Sequence, residues 1–463
     1  MLIFITGALI GYHSFTYGII FDEIMIQNIL ETNFSEACEL ISWSYVGYVA
    51  LFGLLPSYLI YKLGIKEQSP KIFYKEKVFV CFISLSLALA LFFSFYKDNI
   101  ALHRNYKQLR QLLVPFRFYW SSYNYCYKSF YFADKGLFKI SDDASLQNNQ
   151  TKNGKKNIII FIVGEAARAQ SFGLNGYTRD TTPLLNKSSV LNYKNFHSCG
   201  TSTSISVPCI FSHLGRKQFD VKQSYKSENL LDILKKLDFQ ITWYDNNSSS
   251  KGVALRVTKE IDQFDNTQHC LNGSCFDAVL LDALTKHFPL KHQNNFIVLH
   301  QKGNHGPAYY LRYPKAFEKF KPVCKSTNFK NCTQEEIINA YDNAILYTDF
   351  QIAELINLLQ YKEAEYNSAV VYVSDHGEST GEKGIYLHGL PYMIAPKEQT
   401  HIPFIMWFSN GFINQYQINL NCLHKATNTR LSHDNIFHSL LGLLNIKSLH
   451  YNKALDVFAS CKS

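Results

Sequence analysis

The chain has 463 residues, 47% of them hydrophobic and only 18% charged, with a formal net charge of +9. That length allows about two to four domains and a large core, and the apolar balance leaves room for segments in lipid. Its lysines are spread along the chain rather than massed in a block, which excludes a nucleic-acid partner and suits solvation and contact with anionic lipid.

Apolar runs are concentrated at the start. Residues 2–20, 44–61 and 78–96 are each long enough to cross a bilayer, which takes roughly 20 apolar residues. The loop 62–77 carries Lys62, Lys66, Lys71, Lys75 and Lys77, whereas 21–45 has no Lys or Arg and carries Asp22, Glu23, Glu31, Glu36 and Glu39. The excess of positive charge on cytoplasmic loops puts the lysine loop inside and everything after residue 96 outside. Residues 97–140 mix basic and aromatic side chains, with Leu102, Leu109, Leu112, Leu113 and Phe116 at helical spacing, a pattern that suits interfacial helices. Residues 141–156 are polar and unpatterned, hence a linker. The expected domains are a transmembrane domain over 1–96, interfacial helices and linker over 97–156, and an extracytoplasmic catalytic domain over 157–463.

Among eleven cysteines, three close pairs lie after residue 190: Cys199 and Cys209, Cys270 and Cys275, Cys324 and Cys332. Cys422 and Cys461 can form a fourth. An oxidising compartment favours disulfides, each worth on the order of 2–3 kcal/mol for loops this short.

From residue 157 short apolar runs alternate with helical patterns. The runs are Ile158–Val163, Phe239–Tyr244, Phe296–His300 and Ala369–Ser374; the helical stretches are 227–237, 276–287, 334–360 and 433–444. This alternation predicts an α/β domain with a mostly parallel sheet between helices, in which ligands collect beyond the carboxyl ends of the strands. The residues there are Glu165; Asp245, Asn246 and Asn247 with Lys251 behind them; His300 to Gly306, including His305; and Asp375, His376 and Glu378 with His388 further on. Glu165, Asp375 and His376 are suitable ligands for Zn²⁺, and for other metals. Segment 198–209 can add a hydroxyl, which becomes a competent nucleophile on a metal. Residue chemistry alone leaves Thr201, Ser202, Thr203 and Ser204 as equals.

Several of these segments carry a resemblance. Val163-Gly164-Glu165, Leu174-Asn175-Gly176-Tyr177, Ser198 to Thr203, Val207-Pro208-Cys209, Gly303-Asn304-His305-Gly306-Pro307, Tyr341-Asp342-Asn343, Ser374 to Glu378 and Tyr386-Leu387-His388-Gly389 resemble the bacterial lipid A phosphoethanolamine transferases. That group includes the mobile colistin-resistance enzymes. The resemblance implies an alkaline phosphatase/sulfatase-like α/β/α domain behind N-terminal transmembrane helices. It implies Thr203 as nucleophile and Glu165, Thr203, Asp375 and His376 as zinc ligands. It places His305, His388 and Lys251 on the substrate side, where the histidines can hold a second zinc, and it implies the three close disulfides. Asn28, Thr32 and Glu36 match positions near the donor headgroup, and their spacing of four predicts one helix face. The family usually has five spans; this chain shows three, matching the last three, so two upstream spans are expected to lie outside it.

The implied reaction moves phosphoethanolamine from phosphatidylethanolamine to lipid A through a covalent Thr203 intermediate, at the periplasmic face of a bacterial inner membrane. The product surface is less anionic and resists cationic peptides such as polymyxin. Transfer of phosphoethanolamine or phosphoglycerol to another periplasmic glycan is the alternative. A sulfatase is excluded because neither Cys199-Gly200-Thr201 nor Cys209-Ile210-Phe211 fits Cys/Ser-x-Pro-x-Arg.

Overall fold

A computed structural model describes residues 1–32, 34–63, 70–96, 113–133, 136–147, 154–264, 268–271 and 274–462. They fall into two compact units: Met1–Ile26 with Ile41–Asn124, and Gln27–Leu40 with Tyr125–Ser463.

The first unit is helical. Its helices are α1 (Leu2–Tyr17), the start of α2 (Glu23–Glu31), α4 (Trp43–Leu63), α5 (Pro70–Ser94) and the start of α6 (Phe116–Ala133), while α3 (Phe34–Glu39) belongs to the second unit. Within α4, Ala50–Leu54 is wound as a π-helix. Pro56 comes two residues after it and has no N–H to give its own turn, so the ladder widens before it. Gly53 lets α4 approach α1 closely, since an added Cβ would lie 3.1 Å from Ala8 Cβ. Among the described residues Trp43–Leu63 and Tyr74–Ser94 are long and apolar enough to cross a membrane. Helix α1 is apolar but has 16 residues and stops at Gly18, whose φ of 74° is left-handed. Of the expected interfacial stretch, 97–112 lies outside the described residues.

The second unit is built on one eight-stranded sheet. Its strands are β1 (Lys156–Gly164), β2 (Leu191–His197), β3 (Gln240–Asp245), β4 (Glu260–Ile261), β5 (Asn294–His300), β6 (Tyr366–Ser374), β7 (His401–Phe408) and β8 (Leu431–Ser432), in spatial order β8-β2-β7-β6-β1-β5-β3-β4. β6, β1, β5, β3 and β4 run parallel, and β7 is antiparallel to both neighbours. Every residue of β6, and all of β1 after Lys156, is buried, as both-face coverage requires. Ile159, Phe161 and Val163 of β1 join a core with helices α8 (Leu230–Lys236) and α11 (Ile436–Leu443), while α9 (Ala278–His287) and α10 (Gln334–Tyr361) pack from the other side. A reciprocal capping box between Thr333 and Glu336 starts the long α10.

The four expected runs are all strands. β2 and β7 lack that signal: β2 mixes polar residues throughout, and Pro403 interrupts β7. Pro403 cannot donate to a ladder, and the β7–β2 register shifts between Ile402 and Phe404. Part of the expected linker is structured, because Ser145–Leu146 pairs antiparallel with Ile446–Lys447. Residues 148–153 of it lie outside the described residues.

Candidate active site

Sheet register assembles the centre of the site. In the parallel β1–β6 pair Gly164 stands opposite Ser374, so the next residues, Glu165 and Asp375, emerge side by side. Asp375 N donates to Gly164 O at 2.9 Å and locks that register at its last rung. Gly164 has to be glycine, because a Cβ would lie 2.5 Å from the Tyr372 hydroxyl oxygen. Glu165, Asp375 and His376 are all fully buried.

Thr203 is the first residue of helix α7 (Thr203–Ile210). Its Oγ1 donates to Glu165 Oε2 at 3.0 Å and lies 3.4 Å from His376 Nε2. Of the four hydroxyls left open by residue chemistry, this one faces the carboxylate and the imidazole. Ser204 Oγ donates instead to Asn28 Oδ1, and Thr201 Oγ1 to Leu390 O at 2.6 Å. The Cys199–Cys209 disulfide ties the turn to the far end of α7. The other disulfides join Cys270–Cys275, Cys324–Cys332 and Cys422–Cys461.

The cluster fits a cation. His376 Nδ1 donates to Gly377 O at 2.9 Å, so Nε2 faces the carboxylates, 3.3 Å from Glu165 Oε1 and 3.2 Å from Asp375 Oδ2. Those two carboxylate oxygens are buried and have no hydrogen-bond partner among the described residues. Such orphaned anionic oxygens are costly unless a positive charge faces them. Proton affinities respond in the same sense. Burial and the Glu165 carboxylate push Asp375 up to about 7. Burial opposes the charge on His376, yet Asp375 and Glu165 together raise it to about 10. Ligand atoms of Glu165, His376 and His388 lie within 4.8 Å of one another.

His388 and His305 flank this centre. The His388 ring lies 4.1 Å from that of His376 and 5.3 Å from that of His305, centroid to centroid. Nδ1 of His388 pairs with Glu378 Oε2 at 2.7 Å, and the Tyr309 hydroxyl donates to the other Glu378 oxygen at 2.7 Å. That partner leaves Nε2 for the site. Burial and then the neighbouring His376 hold His388 below its ordinary value.

The loop carrying His305 is fixed by Asp277, which accepts N–H from Lys302 at 2.8 Å and Gly303 at 2.9 Å. Gly303 has φ 53° and passes so close to Glu165 that a Cβ would lie 2.7 Å from its carbonyl oxygen.

On the proposed substrate side, Lys251 is buried and pairs with Glu31 at 3.4 Å. Of the three residues expected on one helix face, Asn28 and Thr32 keep helical spacing, since Thr32 N–H donates to Asn28 O at 2.9 Å. Helix α2 stops at Glu31 and α3 begins at Phe34, with Thr32 between them. Thr32 Oγ1 also turns back to that Asn28 O, at 2.6 Å. The Glu36 side chain lies outside the described residues.

Known proteins share this architecture. Residues 156–446 match the Sulfatase family, and residues 1–130 match the family described as phosphoethanolamine transferase EptA/EptB. Phosphoethanolamine transferase EptA of Salmonella typhimurium is 38% identical over 463 residues, covering 99% of this chain and 84% of that protein. The chain belongs to the EptA family of phosphoethanolamine transferases. The Escherichia coli phosphatidylethanolamine transferase Mcr-1 is 37% identical over 96% of this chain and 83% of its own length. The solved integral membrane lipooligosaccharide phosphoethanolamine transferase A (EptA) from Neisseria meningitidis superposes with TM-score 0.95 at 34% identity, covering 100% of this chain and 86% of that one. Like its EptA relatives, the chain is a phosphoethanolamine transferase with a sulfatase-like α/β domain.

Three further residues tie this EptA-type site together. Asn247 Nδ2 donates to Glu165 Oε2 at 2.7 Å and to Gln301 O at 2.9 Å, bridging two strand ends. His433 takes Cys199 N–H on Nδ1 at 3.0 Å and gives Nε2–H to Ser374 O at 3.0 Å. It thus joins the nucleophile turn to the β6 end. The third is Glu31, beside Lys251. Asn247 was read from the sequence by its place just beyond a strand; the roles of His433 and Glu31 carry no such signal.

Proposed function

We propose that this enzyme takes phosphoethanolamine from phosphatidylethanolamine onto Thr203 and passes it to lipid A, with zinc as its metal. The observation that carries this reading is Thr203 Oγ1 at a helix start, 3.0 Å from Glu165 Oε2 and 3.4 Å from His376 Nε2. The name of Mcr-1 supports the donor, and that of the Neisseria enzyme supports a lipid A-bearing glycolipid as acceptor. Zinc held by Glu165, Thr203, Asp375 and His376 would supply Lewis-acid polarisation of the hydroxyl and the phosphoryl group.

The chain's own residues account for the rest. Thr203 Oγ1 bonds to phosphorus as the bond to diacylglycerol oxygen breaks. The hydroxyl proton passes to an imidazole, His388 or His305, and on to the departing diacylglycerol oxygen. Glu378 keeps Nε2 of His388 directed to the site for that task. Lys251 and the N–H groups at the start of α7 offset charge on the equatorial oxygens. A lipid A phosphate hydroxyl oxygen then attacks phosphorus, the bond to Thr203 Oγ1 breaks, and the acceptor's proton passes through the imidazole to Thr203. Helices Trp43–Leu63 and Tyr74–Ser94 support residence in the inner membrane, and the lysine placement supports a periplasmic site. The added cationic headgroup lowers the negative charge that cationic peptides such as polymyxin bind. Mass spectrometry of lipid A from cells expressing the chain tests the proposal. The expected result is an added phosphoethanolamine mass that disappears with Thr203→Ala; transfer by Thr203→Ala would overturn it.

A further inference from the structure

Lys251 sits in a turn with left-handed backbone at Lys251 (φ 52°) and Gly252 (φ 84°). Tyr225 packs so tightly on that turn that a Cβ at Gly252 would lie 2.4 Å from its ring. From there the Tyr225 hydroxyl donates to Glu31 Oε1 at 3.1 Å, and Gln27 Nε2 donates to the same oxygen at 2.7 Å. Two neutral donors therefore hold one carboxylate oxygen. The other, Glu31 Oε2, is buried, has no hydrogen-bond partner among the described residues, and lies 3.4 Å from Lys251 Nζ. Glu31 stands one helical turn beyond Asn28, on the same side of α2, and Asn28 touches Ser204 beside the nucleophile.

Other carboxylates around the site are already committed. Glu165 and Asp375 form the cation cluster, Glu378 holds His388 and Tyr309, Asp245 pairs with His300 at 2.8 Å, and Asp277 holds backbone N–H groups. Only Glu31 in this set answers a cationic side chain with an otherwise unpartnered oxygen.

We infer that Glu31 is the specificity residue that receives the ammonium of the transferred headgroup, while Lys251 turns to its phosphate. This deepens the transfer reading above and rests on it. Phosphoethanolamine is a zwitterion whose charges are two carbons apart, so it can exchange with an existing Lys–Glu pair and leave both charges satisfied. A headgroup without the cation, such as phosphoglycerol, takes Lys251 and strands a half-buried carboxylate. A site built for a polar partner rejects analogues that lack it far more strongly than an apolar pocket rejects a misfit.

The test uses the full chain in vesicles with two fluorescent donors: phosphatidylethanolamine, and the same lipid acetylated on its amine, which keeps the phosphate and loses the cation. Diacylglycerol release gives kcat/KM for each. Wild type is expected to prefer the amine donor, and Glu31→Gln to lose about 10–100-fold on it while the acetylated donor changes little, so the preference collapses. An unchanged preference in Glu31→Gln overturns the inference, as does an equal loss on both donors, which is what a purely structural role gives. Should Glu31→Gln fail to fold, Glu31→Asp keeps the charge on a shorter arm. It is expected to retain the preference with a raised KM, and loss of preference there overturns the inference. A wild-type enzyme that releases diacylglycerol from neither donor fails the transfer reading itself, a result distinct from the others.

Discussion

Replacing His433 by leucine isolates the bridge between the nucleophile turn and the β6 end. His433 is buried, accepts from Cys199 N and donates to Ser374 O. Leucine leaves that N–H and that carbonyl without partners, at about 1–3 kcal/mol each, so roughly 2–6 kcal/mol in all at neutral pH. The pH dependence is a second signature. Burial holds His433 down at about 3 against an ordinary 6.5. The folded protein keeps the ring neutral between those values while the unfolded chain binds a proton. The stability from a neutral His433 is therefore complete above pH 6.5 and lost progressively as pH falls toward 3. Between pH 7.5 and 5.5 the loss is about 1.4 kcal/mol. Thermal unfolding of the detergent-solubilised wild type and His433→Leu should show a gap that narrows by that amount at pH 5.5. A gap equal at both pH values would refute the reasoning. His433→Gln, which can still accept and donate, should recover part of the loss at pH 7.5.

Asn247→Ala removes a donor to Glu165 Oε2, so the purified protein should retain less metal, read by elemental analysis, with little change in secondary structure by circular dichroism. Gly303→Ala forces a Cβ against Glu165 at a left-handed φ, at a cost of about 1–3 kcal/mol of strain. It should cut transfer activity by at least tenfold; full activity would show that the close approach does not matter. Stripping metal with a chelator should lower the unfolding temperature and abolish transfer, with recovery on adding Zn²⁺. Recovery with Mg²⁺ alone would count against zinc.

Much of the site was legible in the sequence because parallel sheets put chemistry in a readable place. β-branched runs mark β1 and β6, and Glu165, Asp375 and His376 come directly after them. Helix α10 announced itself by its helical pattern. β2 and β7 were not legible: one is too polar and the other carries Pro403, and the sheet interior rather than local propensity makes them strands. The family resemblance and the spacing of four set Thr32 one turn beyond Asn28, and its N–H and hydroxyl both bond back to Asn28 O.

By itself, the sequence determined that apolar helices precede an α/β domain, and which carboxylates and imidazoles lie beyond its strands. Those are local properties, set by hydrophobic period and by the residues at the carboxyl end of each run. Only the tertiary structure decided which hydroxyl faces Glu165. The strand register aligns Gly164 with Ser374, and His433 and the Cys199–Cys209 disulfide hold the start of α7 against them. It alone brought Glu31 to Lys251 across 220 positions of chain, 251 − 31. A contact that remote is created by packing and leaves no period or spacing to read.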